Sequence, residues 1–254
     1  VFINLIKNSV ESITEKKLKN KDFKGKIEIE IKNPFIPNWP ALSEVQNLNI
    51  TRYDLSGDIE YLSTKEGFLY ELKYNESKLV LDLNNDIQFP FFVNDGAEVG
   101  LLGIASKNEL IYIAYTNQNI DSSYSLIVDE YSMNFNKVRN IIEIQDFGSV
   151  HFGGNLLFDN LGRLYLSVGD GSKSNEAQNL NSLKGKILRL DTSESKQEPE
   201  IIAYGLRNPW GVSIDSKDRM FVLQCGAYDA EAVFLLKDIY SGIPENLGWP
   251  VFEG

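Results

Sequence analysis

The sequence predicts an all-β chain built as a β-propeller, and three features carry that expectation. Four stretches repeat one pattern of strand, polar turn and strand, their starts lie roughly 40 to 55 residues apart, and each is followed by a further apolar run suited to an outer strand. Short antiparallel sheets set around an axis satisfy all three.

The four stretches read "GDIEYLSTKEGFLYELKY" from Gly57, "VGLLGIASKNELIYIAYT" from Val99, "GGNLLFDNLGRLYLSVGD" from Gly153 and "NPWGVSIDSKDRMFVLQCG" from Asn208. Each places Gly, Asn or Asp between two runs rich in Tyr, Leu, Val and Phe, the signature of a hairpin. The outer-strand candidates are "KLVLDL", "YSLIVDEYSM", "GKILRLD" and "AVFLLKDI". About four blades therefore occupy residues 46–254. Residues 1–45 differ: Phe2, Leu5, Ile6, Val10 and Ile13 follow a helical period, and "KGKIEIEIK" alternates like a strand. A short helix and strand, separate from the propeller or joined to it as an extraneous segment, are expected there. The chain begins at Val1 and stops after "LGWPVFEG", so a fragment of a longer protein is expected.

With 254 residues and 43% hydrophobic content the chain can bury a large core. A net charge of -11 argues against nucleic acid or anionic membranes as partners, since both call for a basic surface. No apolar run reaches the length of a membrane span, and no signal-peptide pattern opens the chain. The single cysteine, Cys225, rules out an intrachain disulfide framework and reads as inert packing within an apolar strand.

The chain also holds a single histidine, His151, immediately before the strand "GGNLLF". A lone histidine is more often structural than catalytic, but in a propeller the residues before innermost strands face the mouth of the central channel. Arg207 and Asn208 of "GLRNPWG", and Glu98 before "VGLLGIAS", stand at matching places. Arginine offers a fixed fork of donors for carboxylates and polarised carbonyls, and asparagine offers both a donor and an acceptor. Glu98 could tune His151 or be a surface acid. The loop "SVGDGSKSNEAQNL" has oxygen-bearing residues, Asp170 among them, but lacks calcium-loop spacing and reads as a turn and connection.

In this order, "EVGLLGIAS", "HFGGNLLFDNLGRLYLSVGDG", "GKILRLD", "AYGLRNPWG" and "NLGWPVFEG" resemble the glucose/sorbosone dehydrogenase family, from about Leu55 to Gly254. The resemblance implies a six-bladed parent propeller and oxidation of an aldose at its anomeric carbon with pyrroloquinoline quinone (PQQ). By position, His151 resembles the general base and Arg207 and Asn208 the residues that hold the quinone oxygens, with Glu98 in the same cofactor-binding set. Gly226 and Ala227 align with the pair whose backbone carbonyls bind calcium, and Glu231 and the Leu247 carbonyl with a second calcium site. The implied partners are a sugar and an electron acceptor of unspecified identity, and the implied location is extracellular or periplasmic. Val150 stands where soluble glucose dehydrogenases carry an aspartate, and Glu98 where some members carry glutamine. The family's lysine and arginine grips on the quinone carboxylates come from later blades, so a complete cofactor site is not expected in this chain. A related branch, the hedgehog-interacting-protein type, implies the alternative of a non-catalytic propeller that binds a protein or carbohydrate. The opening "FINLIKNSVESI" separately resembles the asparagine-bearing helix of histidine-kinase-type ATPase domains, with Asn4 or Asn8 toward magnesium and nucleotide. No glycine-rich nucleotide box follows it, so a plain amphipathic helix is the simpler expectation.

Overall fold

Sixteen strands arranged in four sheets account for nearly all the regular structure of the computed structural model, which describes residues 50–56, 59–73, 76–87, 91, 97–193, 198–227 and 231–252. The expected N-terminal helix and strand lie outside these residues. The first sheet holds β1 (Ile50–Ser56), β2 (Ile59–Thr64), β3 (Phe68–Lys73) and β4 (Glu76–Asp82) in sequential order. The second repeats that order with β5 (Leu101–Lys107), β6 (Leu110–Gln118), β7 (Tyr124–Ser132) and β8 (Lys137–Phe147). The third runs through β9 (Gly153–Phe158), β10 (Leu164–Val168), β11 (Lys186–Leu190) and β12 (Glu200–Tyr204). The fourth consists of β13 (Pro209–Ile214), β14 (Met220–Gln224) and β15 (Ala232–Leu236). The chain then returns to the third sheet, where β16 (Glu245–Asn246) pairs in parallel with β12.

This is the propeller pattern, with one blade per antiparallel meander and the first strands β1, β5, β9 and β13 packed successively against one another. All four hairpins read from the sequence form. In the first blade, however, the hairpin is β2–β3 rather than the innermost pair, because "ITRYDLS" supplies an additional inner strand. It carries only three apolar residues, Ile50, Tyr53 and Leu55, unevenly spaced, so its strand pattern is weak in the sequence.

The core lies between blades, which explains why the inner strands are apolar on both faces. In β6, Ile111, Ile113 and Tyr115 join the layer shared with the first blade, through Tyr61, Leu69 and Leu81. Tyr112 and Ala114 of the same strand point the other way, into a layer with Leu156, Leu164, Leu166 and Leu188 of the third blade. Tyr165 and Ile187 meet Met220, Val222 and Leu236 of the fourth blade in a third layer. Burying both faces of a strand favours continuous β-branched and aromatic runs over strict alternation.

Two hairpin turns share one clasp. Asp159 accepts the Arg163 backbone N–H at 2.8 Å and Nε at 2.7 Å, and Asp215 accepts the same pair from Arg219 at 3.0 and 2.7 Å. The third and fourth blades are joined at these tips by Asn160, whose Nδ2 donates to Asp218 Oδ1 at 2.6 Å.

At the second-to-third blade contact the backbones nearly touch. A Cβ at Gly103 would lie 2.0 Å from the Gly154 carbonyl oxygen. Gly103→Ala must therefore push β5 away from β9, and a loss of roughly 1–3 kcal/mol or more is expected, from overpacking. Thermal unfolding of the variant checks this, and a midpoint equal to the parent's counts against the tight contact.

Candidate active site

The residues before the inner strands converge. Glu98 precedes β5, His151 precedes β9 and Asn208 precedes β13, so the order of the blades brings three distant positions to one end of the central axis. Glu98 Oε2 accepts the His151 backbone N–H at 2.8 Å and Asn208 Nδ2 at 3.1 Å. Asn208 Oδ1 accepts the Gly153 N–H at 3.2 Å. Asn208 is 1% exposed, and its amide braces three successive blades. Glu98 thus acts on His151 through the main chain rather than through the ring.

The imidazole has a partner of its own. His151 Nδ1 lies 2.8 Å from Asp170 Oδ1, and the Asp170 side chain is only 2% exposed. In a neutral imidazole, a proton on Nδ1 directed at this carboxylate leaves the lone pair on Nε2. Among the described residues nothing hydrogen-bonds Nε2, and the ring is 14% exposed. Asp170 in turn accepts the Ser172 N–H on Oδ1 at 2.8 Å and the Trp249 indole N–H on Oδ2 at 2.9 Å. Its own N–H donates to the Arg207 carbonyl at 2.7 Å.

The backbone here is shaped for close approach. His151 adopts φ 60°, and a Cβ at Gly169 would sit 1.9 Å from the His151 carbonyl oxygen. Gly169 therefore lets the two ends of the β9–β10 hairpin close on each other, with Gly169 N–H donating to Phe152 O at 3.0 Å and Gly171 N–H to His151 O at 3.1 Å. The long connection carrying Asp170 is held from beneath by the fully buried Lys186. Its ammonium gives one hydrogen bond each to the carbonyls of Glu176, Ala177 and Lys184 at 2.9, 3.0 and 2.6 Å. Burial pushes this lysine down to about 8, partly offset by the Glu176 charge.

Arg207 is the nearby cation. Both its backbone N–H, given to Gln224 Oε1 at 2.7 Å, and its Nη1, given to the carbonyls of Cys225 and Gly226 at 3.2 and 3.0 Å, are fixed within the protein. Its guanidinium carbon is 5.8 Å from the centre of the Trp249 ring. Nε and Nη2 carry three further donors suited to an anionic oxygen.

The positions that the resemblance aligns with calcium ligands are less complete. The Gly226 carbonyl already accepts from Arg207, although a carbonyl has a second lone pair. Ala227 follows it, and Glu231 is exposed just before β15. Leu247 follows β16 with its N–H on the Tyr204 carbonyl at 2.8 Å. No cluster of three or more His, Cys, Asp or Glu side chains forms among the described residues. An open cleft of about 540 Å³, lined by residues such as Lys237, Asp238 and Ile243, includes none of the His151 group.

Cys225 is the remaining nucleophile. Burial, then the charges of Glu231 and Glu98, push its thiol up to about 12, with Arg207 opposing. At pH 8 the folded protein is expected to react with a disulfide reagent far more slowly than the denatured chain. Equal rates would show an exposed, activated thiol.

Asp170 and Trp249 were not singled out as site residues by the sequence reading. A usable signal existed for the first. Pairing Val168 with Gly153 places the residues flanking the open end of that hairpin, 151 and 170, beside each other. Trp249 arrives through the parallel β16–β12 contact, which no local pattern announces.

Comparison with known proteins fits this geometry. An aldose sugar dehydrogenase of Escherichia coli is 30% identical over 116 residues, covering 40% of this chain and 29% of that protein. Mouse Hedgehog-interacting protein is 28% identical over 192 residues, covering 60% of this chain and 26% of its own length. The chain thus spans less than a third of either relative. Among solved structures, the PQQ-bound aldose sugar dehydrogenase of Streptomyces coelicolor superposes with a TM-score of 0.63 at 22% identity, over 82% of this chain and 64% of that one. Residues 64–254 match the glucose/sorbosone dehydrogenase family, and the chain belongs to that family.

Proposed function

We propose that this chain carries the catalytic face of a PQQ-dependent aldose dehydrogenase, in which His151 Nε2 removes the proton from the sugar's anomeric hydroxyl. The observation that supports this above others is the buried Asp170 on Nδ1, which leaves the opposite nitrogen as a base at the place where three blades converge. When bound, the quinone supplies the acceptor for hydride. Arg207, through Nε and Nη2, would hold a quinone oxygen and steady the negative charge that develops there. Asn208 would act mainly by bracing the blades, since its oxygen already accepts from Gly153 and one of its donors from Nδ2 goes to Glu98. Calcium enters the proposal through the carbonyls of Gly226 and Ala227, with Glu231 and the Leu247 carbonyl as a second site. Sugar class, acceptor and the full activity are those of a longer protein, of which this chain would form a part.

The similarity to Hedgehog-interacting protein supports a second reading, a propeller that presents its loops to a protein partner. A titration separates the two. Loading the full-length protein with calcium and quinone and offering a panel of aldoses should give sugar-dependent reduction of a dye. No reduction with any aldose, under conditions where the quinone is bound, sinks the catalytic reading and leaves the binding one.

A further inference from the structure

The "NLGWP" string entered the sequence reading only as a landmark and as the bearer of Leu247, yet its tryptophan touches both halves of the proposed chemistry. Trp249 is fixed by its own backbone. Its N–H donates to the Gly205 carbonyl at 3.0 Å, and its carbonyl accepts Gln178 Nε2 at 2.6 Å. The ring is thereby held with its N–H 2.9 Å from Asp170 Oδ2 and its face toward Arg207.

We infer that Trp249 is a positioning residue for His151, acting through Asp170: its indole N–H holds the outer carboxylate oxygen so that the inner one stays on Nδ1. The inference rests on the reading of His151 as the base. Each oxygen of Asp170 has a distinct task. Oδ1 receives the imidazole and the Ser172 N–H, and Oδ2 receives the indole. Were the carboxylate free to rotate, the imidazole could lose its anchor and exchange tautomers.

The other charges around this group are unchanged by removing the indole N–H. Glu98 stays on the His151 main chain, and Arg207 on the Cys225 and Gly226 carbonyls. Lys173 and Lys184 pair with Asp146 on the adjoining loop, and Lys186 is caged near Glu176. A difference between the parent and the benzothienyl variant therefore reports the indole N–H alone.

The protein carries its own reporter, since one histidine gives one imidazole signal in a nitrogen-15 NMR titration. In Trp249→Phe, and in a variant carrying 3-benzothienylalanine at 249, which keeps the bicyclic shape without the N–H, the neutral ring is expected to lose its preference for a proton on Nδ1 and the imidazole midpoint to move downward, as the carboxylate leaves Nδ1. The displacement should be roughly half a unit or more, from losing a hydrogen bond to a charged group. An unmoved midpoint with the proton still on Nδ1, or a raised midpoint, overturns the inference. The benzothienyl variant covers the case in which Phe destabilises the fold. If the midpoint falls but quinone-loaded protein turns over no sugar, the coupling stands and the catalytic reading alone falls. If turnover is found and the midpoint does not move, the opposite holds.

Discussion

His151→Asn is expected to lower sugar-driven dye reduction by a factor on the order of 10² to 10⁴, the usual contribution of a positioned base, with thermal unfolding close to the parent's. Asparagine is chosen because His151 sits at φ 60°, a left-handed conformation that asparagine adopts more readily than alanine. The main-chain bonds to Glu98 and from Gly171 remain available to it. A variant that keeps its activity would show that another group takes the proton. One that loses both activity and stability would point instead to a structural histidine.

Asp170→Asn is expected to be nearly as damaging, roughly 10²-fold or more, by the same logic that makes the analogous change in a serine-protease triad severe. An amide can donate to Nδ1, and the imidazole would then carry its proton on Nε2, where the lone pair is needed. The two changes act on one unit, so the double variant should lose little beyond the worse single one. Losses that multiply would mean that Asp170 serves some separate purpose. Rates for the two single variants and the double variant, measured with the same sugar and dye, decide between these outcomes.

Much of the architecture was readable because propeller blades are local. Each hairpin is a contiguous pair of β-rich runs around a turn, and four of them at a regular spacing require little else. What escaped depended on partners distant in sequence. The inner strand Ile50–Ser56 has few and unevenly spaced apolar residues, and β16 is two residues long and pairs with a strand some forty residues earlier. The same division holds at the site. His151, Arg207, Asn208 and Glu98 were legible because each precedes an inner strand, a local cue that geometry converts into proximity. Asp170 looked like a turn residue, since its role exists only once β9 and β10 have paired. Trp249 needed the return of the chain to the third blade.

Asn208 is almost wholly buried and serves Gly153 and Glu98, so its contribution is to hold adjoining blades together. In the proposed reading Arg207 would add a ligand to its structural task, since Nη1 is anchored on the Cys225 and Gly226 carbonyls while its remaining donors stay open.

The decisive measurement uses a sugar carrying deuterium at its anomeric carbon. With quinone-loaded protein and saturating dye, reduction limited by sugar at low concentration should be slower with the deuterated aldose than with the ordinary one. The slowing should accompany a proton loss that disappears in His151→Asn. Equal rates for the two sugars, or reduction that does not depend on sugar at all, would contradict oxidation at that carbon by this site.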